Sequence, residues 1–363
     1  MVDRPAARAP GVCREPFIFT GSPSEYFGIW IVNVLLTIIT LGIYSAWAKV
    51  RRQRYFYGNT SLAGASFDYH ARPVQILIGR IIVLSMLVIY NVTLQFLPIV
   101  GGVVGVAFLF AIPWFLMRGL RFSARVTSYR NVRFDFTGGY WGAFQAYILG
   151  WALIYGTAGI LAPLASQWMW NYSLGNLKYG DRSISCDPRL EKLYGQWWLP
   201  AFVFLGGMVL LILLGVAAAA LFSNSFLELL GSDPGTISPY MIVALIYMAF
   251  IPFALLYMIS GLLYTAGVRN VAFSETVIDG RHVLFSAVGR WRYVWISVSN
   301  LIATLLTLGL ARPWAAIRMA RYMASVTALD ATSPLDEYFS AIKGEGAAVG
   351  AEYLDVEGID IGF

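Results

Sequence analysis

The sequence predicts an all-α polytopic membrane protein built from repeated helical hairpins, with short β-strands and β-hairpins between them on the cytoplasmic face. Composition, the length of the uncharged segments and a recurring motif support this fold class. The 363 residues are 58% hydrophobic and only 13% charged, whereas charged residues make up about a quarter of a soluble domain. Four uncharged segments each exceed the roughly 20 residues that cross a bilayer. They are 81–117, 138–177, 193–227 and 234–268.

The N-terminal part of the chain predicts a short strand followed by a broken apolar helix. Residues 1–16 are polar and rich in Pro and Ala, and we expect them to be disordered; Phe17-Ile18-Phe19 has a strand pattern. Residues 26–62 begin as an apolar helix, break at Thr40-Leu41-Gly42 and continue into a cluster of arginines. No small-residue cleavage site follows the apolar run, so we expect an uncleaved insertion signal.

The motif in residues 26–62 recurs along the chain. It matches without gaps 267 residues further on, where Tyr26 falls on Tyr293, Trp47 on Trp314 and Arg51 on Arg318. Such recurrence predicts repeated structural units. We predict five units in a single integral membrane domain over residues 17–330: 17–66, 67–133, 134–187, 188–273 and 274–330.

The units do not carry the motif equally well. The first, second and fifth contain the pattern [AP]-W-x3-R-x2-R-[YF], whereas the third has Trp168 and Asn171 in place of the two arginines. The fourth matches at Pro252, and its Arg269-Asn270-Val271 resembles Arg130-Asn131-Val132 of the second unit. Any role of the arginines is therefore not shared by every unit.

The distribution of basic residues favours one of two topologies. If all seven apolar segments cross the membrane, 14 basic residues lie inside and 11 outside, with Arg80 inside a helix. If the three short units return to the face they left, all 26 lie inside, as the positive-inside rule favours. We therefore predict four full crossings and three re-entrant hairpins, with cytoplasmic N- and C-termini. Six or seven crossings are the alternative.

The acidic C-terminal tail, residues 331–363, differs from the rest of the chain. It contains seven acidic residues and a single basic one, Lys343. A strand or tail that docks on the basic face and a solvated tail both fit this composition.

One stretch carries a resemblance to a known family. The segment TLGIYSAWAKVRRQRYFYGNTSLAGASFDYHA, with FIFTGSPSEYFGIW before it, resembles the signature of the YjgN-like family of bacterial inner membrane proteins. The resemblance covers nearly the whole chain and includes the terminal DVEGIDIGF. It implies a multi-pass protein of the bacterial inner membrane, in a family whose activity is undefined.

Basic and aromatic side chains at the helix ends form the main candidate site. They are Trp47, Lys49, Arg51, Arg54, Tyr55, Trp114, Arg118, Arg121, Trp314, Arg318, Arg321 and Tyr322. Such residues commonly anchor a protein at the membrane surface. The functional alternative is contact with anionic lipid head groups, which stabilises by roughly 1 kcal/mol per arginine. Asn33 and Asn300 occupy equivalent intramembrane positions, where hydrogen bonds between helices are expected and a polar pathway is the alternative.

The sequence contains no recognisable catalytic or metal-binding motif. His70 and His282 lack partner ligands, and Cys13 and Cys186 do not suggest a disulfide framework. We expect no enzymatic activity and no cofactor. The long apolar segments also lack charged residues, which ion-coupled transporters usually retain there.

Two functions fit these features. The first is a non-enzymatic transport or conduit-type membrane protein, and the second is a scaffold that binds anionic lipid or a cytoplasmic partner through its arginine and aromatic face. We expect the lipid bilayer and anionic phospholipid as partners and no nucleic acid. A homo-oligomer and a complex with another membrane protein both stay open.

Overall fold

Ten short β-strands form a closed antiparallel barrel in this computed structural model, which describes residues 13–221 and 239–332. The strands are β1 Cys13–Phe19, β2 Thr60–Leu62, β3 Ala65–Tyr69, β4 Thr127–Tyr129, β5 Val132–Phe136, β6 Leu177–Tyr179, β7 Arg182–Cys186, β8 Thr276–Ile278, β9 His282–Ser286 and β10 Thr327–Ala331. Helical connections alternate with tight turns, so every helical segment leaves and re-enters the same end of the barrel. The prediction of an all-α fold is therefore wrong.

The barrel closes through β1, whose two halves pair with different strands. Residues Cys13–Pro16 pair with β10, and Phe17–Phe19 pair with β2. At the junction of β1 and β10, Arg14 forms a salt bridge with Asp330 at 2.6 Å. Residues 13–16 were predicted to be disordered, and the structure instead places them in β1. Residues 1–12 and most of the predicted acidic tail, from residue 333 onward, lie outside the described residues.

Tight turns of two or three residues join the strands at the end of the barrel away from the helices. Ala63-Gly64, Arg130-Asn131 and Asp279-Gly280 all have positive φ at both positions, between 46° and 76°. This conformation matches the twist of paired strands and favours Gly, Asn and Asp. It also corrects one repeat match, because Arg130-Asn131 is such a turn whereas Arg269-Asn270 lies inside a helix.

Side chains fill the interior of the barrel. Leu62, Tyr129, Tyr179 and Leu329 are buried there, with the rings of other strands packed against them. The Tyr129 hydroxyl donates to the Leu62 carbonyl at 2.5 Å, and the Tyr179 hydroxyl donates to the Tyr129 carbonyl at 3.0 Å. The barrel is therefore a packed core in which both of these tyrosine hydroxyls are hydrogen-bonded.

Four helices are long and apolar enough to cross a membrane. They are α3 Pro73–Phe96, α4 Pro98–Arg125, α8 Leu190–Leu221 and α9 Pro239–Ser274. Their exposed surface is largely apolar, as lipid contact requires. Between α3 and α4 only Leu97 is non-helical, because Pro98 can begin a helix at its first position.

Three pairs of shorter helices occupy the remaining connections. The first pair is α1 Pro23–Ile39 with α2 Ser45–Gly58, and the last is α10 Arg290–Leu306 with α11 Arg312–Ser325. In the middle pair the first arm consists of α5 Tyr140–Ala143, a π-helical stretch Phe144–Leu149 and α6 Gly150–Gly156; α7 Ala162–Gly175 is the second arm. We call these pairs the first, third and fifth hairpins.

All three short hairpins turn in the same way. In the first, Leu41 and Gly42 have φ of 49° and 94°, and the Gly42 amide donates to the Thr37 carbonyl at 2.8 Å. The corresponding pairs Ala158-Gly159 and Leu308-Gly309 repeat this geometry. The tips are apolar and unpacked: Leu41 is 95% exposed and Leu308 is 94% exposed. Neighbouring helical units pack side by side, and α11 packs on α1, so the units form a closed ring above the barrel.

Candidate functional site

One residue in each unit fastens that unit to the next. It lies six residues before the strand that follows the second helix, and its side chain hydrogen-bonds at the start of the next helical unit. These residues are Arg54, Arg121, Asn171, Asn270 and Arg321. Their acceptors are, in the same order, the Tyr69 carbonyl, the Phe136 and Gly138 carbonyls, the Asp187 carboxylate, the Val288 carbonyl and the Gly21 carbonyl. Three predicted head-group contacts, Arg54, Arg121 and Arg321, thus have partners within the protein.

A tyrosine next to this residue closes each short hairpin at its base. The Tyr55 hydroxyl donates to the Ser22 carbonyl at 3.0 Å and accepts from the Ser22 amide at 2.8 Å. Tyr322 makes the same pair of bonds to Gly289. The sequence assigned Tyr55 and Tyr322 to lipid head groups, whereas their hydroxyls hold the two arms of a hairpin together.

The tryptophan and the first arginine of the motif form a pair in two units. Arg118 lies 5.4 Å from the Trp114 ring centroid, and Arg318 lies 5.1 Å from the Trp314 ring centroid. The spacing of four residues places both side chains on the same helix face. In the first hairpin Trp47 instead stacks on Tyr44, and Lys49 and Arg51 are exposed.

Asn33 and Asn300, which were predicted to lie within the membrane, differ in their contacts. Asn300 accepts from Arg318 at 3.0 Å and donates to the Ala315 carbonyl at 3.1 Å, so it joins α10 to α11. Asn33 is also buried, but its Oδ1 has no hydrogen-bond partner among the described residues. The structure therefore brings Asn300 and Arg318 together, and it does not reproduce this contact at Asn33.

A cavity of about 600 Å³ lies beside the fifth hairpin. Its lining includes Arg292, Trp295, Trp314, Arg318, Arg321 and Tyr322. Three arginines and three aromatic rings thus meet in one open cavity, and no acidic residue lines it. We call it the arginine cavity. The sequence predicted four of these six residues and missed Arg292 and Trp295, although the basic and aromatic pattern RWRYVW at the start of α10 marks them.

A second cavity, of about 390 Å³, occupies the corresponding place on the third hairpin. Its polar and aromatic lining consists of Gln145, Gln167, Trp168, Asn171, Tyr172, Asn176 and Asp187. Asp187 is the one charged residue that lines it. We call it the amide cavity.

The two histidines and Cys186 lie in strands of the barrel or directly after one. His282 is fully buried in the barrel, where burial lowers its pKa and the nearby Asp279 carboxylate partly opposes this. His70 hydrogen-bonds Ser128 at 2.7 Å. Burial raises the pKa of the Cys186 thiol to about 11, which makes it a poor nucleophile. In residues 13–221 and 239–332, His, Cys, Asp and Glu form no group of three that could hold a metal ion.

Comparison with known proteins confirms the family resemblance. The sequence profile of a family described as bacterial protein of unknown function (DUF898) matches residues 14–356. Inner membrane protein YjgN from Escherichia coli K12 is 36% identical over 138 residues, and its counterpart from Salmonella typhimurium LT2 is 38% identical over 123 residues. These alignments cover 37% and 33% of this chain and 35% and 30% of those proteins. No solved structure matches the chain.

Proposed function

Because the chain belongs to the DUF898 family of bacterial proteins and is similar to inner membrane proteins, we propose that it is a non-enzymatic membrane protein that binds anionic phospholipid head groups. The arginine cavity is the observation that carries this proposal. A conduit, the first function the sequence suggested, is less well supported, because Leu62, Tyr129 and Tyr179 fill the barrel interior. Lipid binding at the arginine and aromatic face is the better candidate.

The helix lengths support one position in the membrane. From Gly309 at the tip of the fifth hairpin to Arg318 the chain rises by about 14 Å, at about 1.5 Å per residue. This equals half of a hydrocarbon core that is about 30 Å thick. In α4, the distance from Pro98 to Arg118 is about 30 Å, the full thickness. A membrane that places these arginines at its cytoplasmic surface is therefore crossed by the long helices and entered halfway by the short ones.

The proposed arrangement is thus four crossings and three re-entrant hairpins, with the barrel on the cytoplasmic side. The five helical units are proposed to be copies of one repeat; two strands follow each of the first four units, and β10 follows the fifth. In the ring, each short hairpin packs against at least one pair of long helices.

The charge of the fifth hairpin favours an anionic ligand. Arg292 lies against the Tyr322 ring at 5.3 Å, so its guanidinium is directed toward the cavity. The residue that corresponds to Arg292 in the first hairpin is Glu25, and the third hairpin has no arginine at the motif positions. A volume of about 600 Å³ is in the range of small-ligand sites, and arginine pairs well with phosphate oxygens. The fifth hairpin is therefore the most suitable phosphate site.

Removing two arginines from the cavity should weaken lipid selectivity. We expect Arg292→Gln with Arg318→Gln to reduce the preference for phosphatidylglycerol over phosphatidylcholine by about 5- to 30-fold, at about 1 kcal/mol or less for each arginine. Binding of spin-labelled lipids to the purified protein measures the preference. Arg281→Gln is the matched control, because Arg281 lies in a β-turn at the opposite end of the barrel. An equal loss in both proteins, or none in the double variant, would overturn the proposal.

Thiol labelling tests the position in the membrane. A membrane-impermeant maleimide should label the exposed Cys13 in inverted vesicles but not in spheroplasts, while the buried Cys186 stays unlabelled in both. A cysteine at Leu97, between α3 and α4, should label only from the periplasm. A cysteine at Leu41, the tip of the first hairpin, should label from neither side because it lies within the bilayer. Periplasmic labelling at position 41 would contradict the re-entrant arrangement.

A further inference from the structure

We propose that the amide cavity binds a primary ammonium group, carried by the ethanolamine head group of a zwitterionic phospholipid. The cavity occupies the same place on the third hairpin that the arginine cavity occupies on the fifth. Trp168, Asn171 and Tyr172 stand at the motif positions of Arg318, Arg321 and Tyr322. The two cavities thus share a location and differ in charge.

The charge and the rings of the amide cavity favour a cation. Asp187 supplies the negative charge, and no lysine or arginine lines the cavity. Trp168 and Tyr172 line the same space, and aromatic faces attract ammonium groups. A phosphate group would instead meet a carboxylate without a compensating base.

The amide groups of the cavity are arranged as acceptors. The Gln167 side-chain nitrogen donates to the Pro188 carbonyl at 3.0 Å, and the Asn176 nitrogen donates to the Tyr172 carbonyl at 2.9 Å. The Asn171 nitrogen points to Asp187 at 3.5 Å. Because each of these nitrogens already donates to the protein, we take the amide oxygens as the acceptors that a ligand would meet. A primary ammonium has three N–H donors for these oxygens and the carboxylate, whereas a choline head group has none.

The backbone of the cavity wall is also unusual. The stretch Phe144–Leu149 is π-helical and contributes Gln145 and Ala146 to the lining. In the first and fifth hairpins the corresponding arms, α1 and α10, are regular α-helices. Single π-helical turns occur frequently at functional sites. Gln145 of this stretch lines the cavity together with residues of α7.

This inference rests on the position in the membrane that was proposed above. It does not depend on anion binding in the arginine cavity. At that position Trp168 lies about 14 Å from Gly159 at the tip of the hairpin, since nine residues separate them. The amide cavity therefore opens at the level of lipid head groups, which makes a lipid the source of the ammonium.

Lipid selectivity of the full-length purified protein tests the inference. Spin-labelled phosphatidylethanolamine should bind better than phosphatidylcholine, and Asp187→Asn should reduce this preference by about fivefold, as expected of a partly exposed ion pair. Asp181→Asn, in the turn between β6 and β7, is the matched control and should leave the preference unchanged. An unchanged preference in Asp187→Asn, or displacement of the labelled lipid by millimolar free ethanolamine, would overturn the assignment to lipid.

An exchange of motif residues provides the second arm. Trp168→Arg with Asn171→Arg gives the third hairpin the two motif arginines of the fifth, so the ethanolamine preference should be lost and binding of phosphatidylglycerol should increase. Retention of the ethanolamine preference in a folded double variant would contradict the proposal. The Arg292→Gln/Arg318→Gln protein, measured with both lipids, separates the two sites, because only its phosphatidylglycerol preference should fall.

Discussion

Replacing Phe136 with alanine should lower the free energy of unfolding by about 3–5 kcal/mol, the usual cost of removing a buried phenylalanine. Phe136 is the last residue of β5 and is 2% exposed. Its ring packs edge-on against Tyr172 at 5.4 Å, and it belongs to one buried cluster with Met117 and Ala143 of two helical units. The loss should be large because this side chain joins the barrel to the helices above it.

Denaturant unfolding of the purified protein in detergent, followed by tryptophan fluorescence, measures this effect. The matched control is Phe96→Ala, because Phe96 is 73% exposed at the end of α3. Lipid or detergent is as apolar as a protein interior, so the exposed Phe96 ring gains little from folding. The control should therefore lower the free energy of unfolding by less than about 1 kcal/mol. Equal losses in the two variants would show that Phe136 does not form part of the core.

Asn270→Leu should lower the free energy of unfolding by about 2–5 kcal/mol. The Asn270 side chain donates to the Val288 carbonyl at 2.9 Å and accepts from the Val288 amide at 2.8 Å and the Ser286 hydroxyl at 2.7 Å. Val288 is 3% exposed. Leucine would leave two buried backbone groups unpaired, and each unpaired group costs about 1–3 kcal/mol.

The same unfolding experiment measures this loss, and Asn91→Leu is the matched control. Asn91 is exposed on α3 and donates only to the carbonyl of Leu87 in its own helix. We expect the control to change stability by no more than about 0.5 kcal/mol. A stability of Asn270→Leu that equals that of the control would rule out the fastening role of Asn270.

The local features of the fold could be predicted from the sequence, whereas the barrel could not. The turn at Thr40-Leu41-Gly42 and the long apolar helices depend on neighbouring residues, and the structure contains them at the expected places. Barrel closure instead depends on pairs such as Arg14 with Asp330, which are separated by 316 positions. Strands of three to seven residues carry too little pattern to indicate which strands pair.

The candidate site was predicted only where the units resemble each other. Comparison of repeats selects shared residues, and it therefore found Trp314, Arg318 and Tyr322. Arg292 and Trp295 align with Glu25 and Gly28 of the first unit, so the same comparison did not select them. The distinctive charge of each cavity lies in the residues that differ between units. Conversely, the shared residues Arg54 and Tyr55 hold the protein together.

The junction of β1 with β10 has a consequence for biosynthesis. The first half of β1 leaves the ribosome more than 300 residues before β10, its only partner there. Protein synthesis adds about 5–20 residues per second, so this strand edge stays unpaired for roughly 15–60 s. An unpaired edge invites association with other chains. The waiting segment contains Arg14, Glu15 and Pro16, residues that repel foreign strands or cannot donate to them. These residues therefore limit association with other chains until β10 is synthesised and pairs with β1.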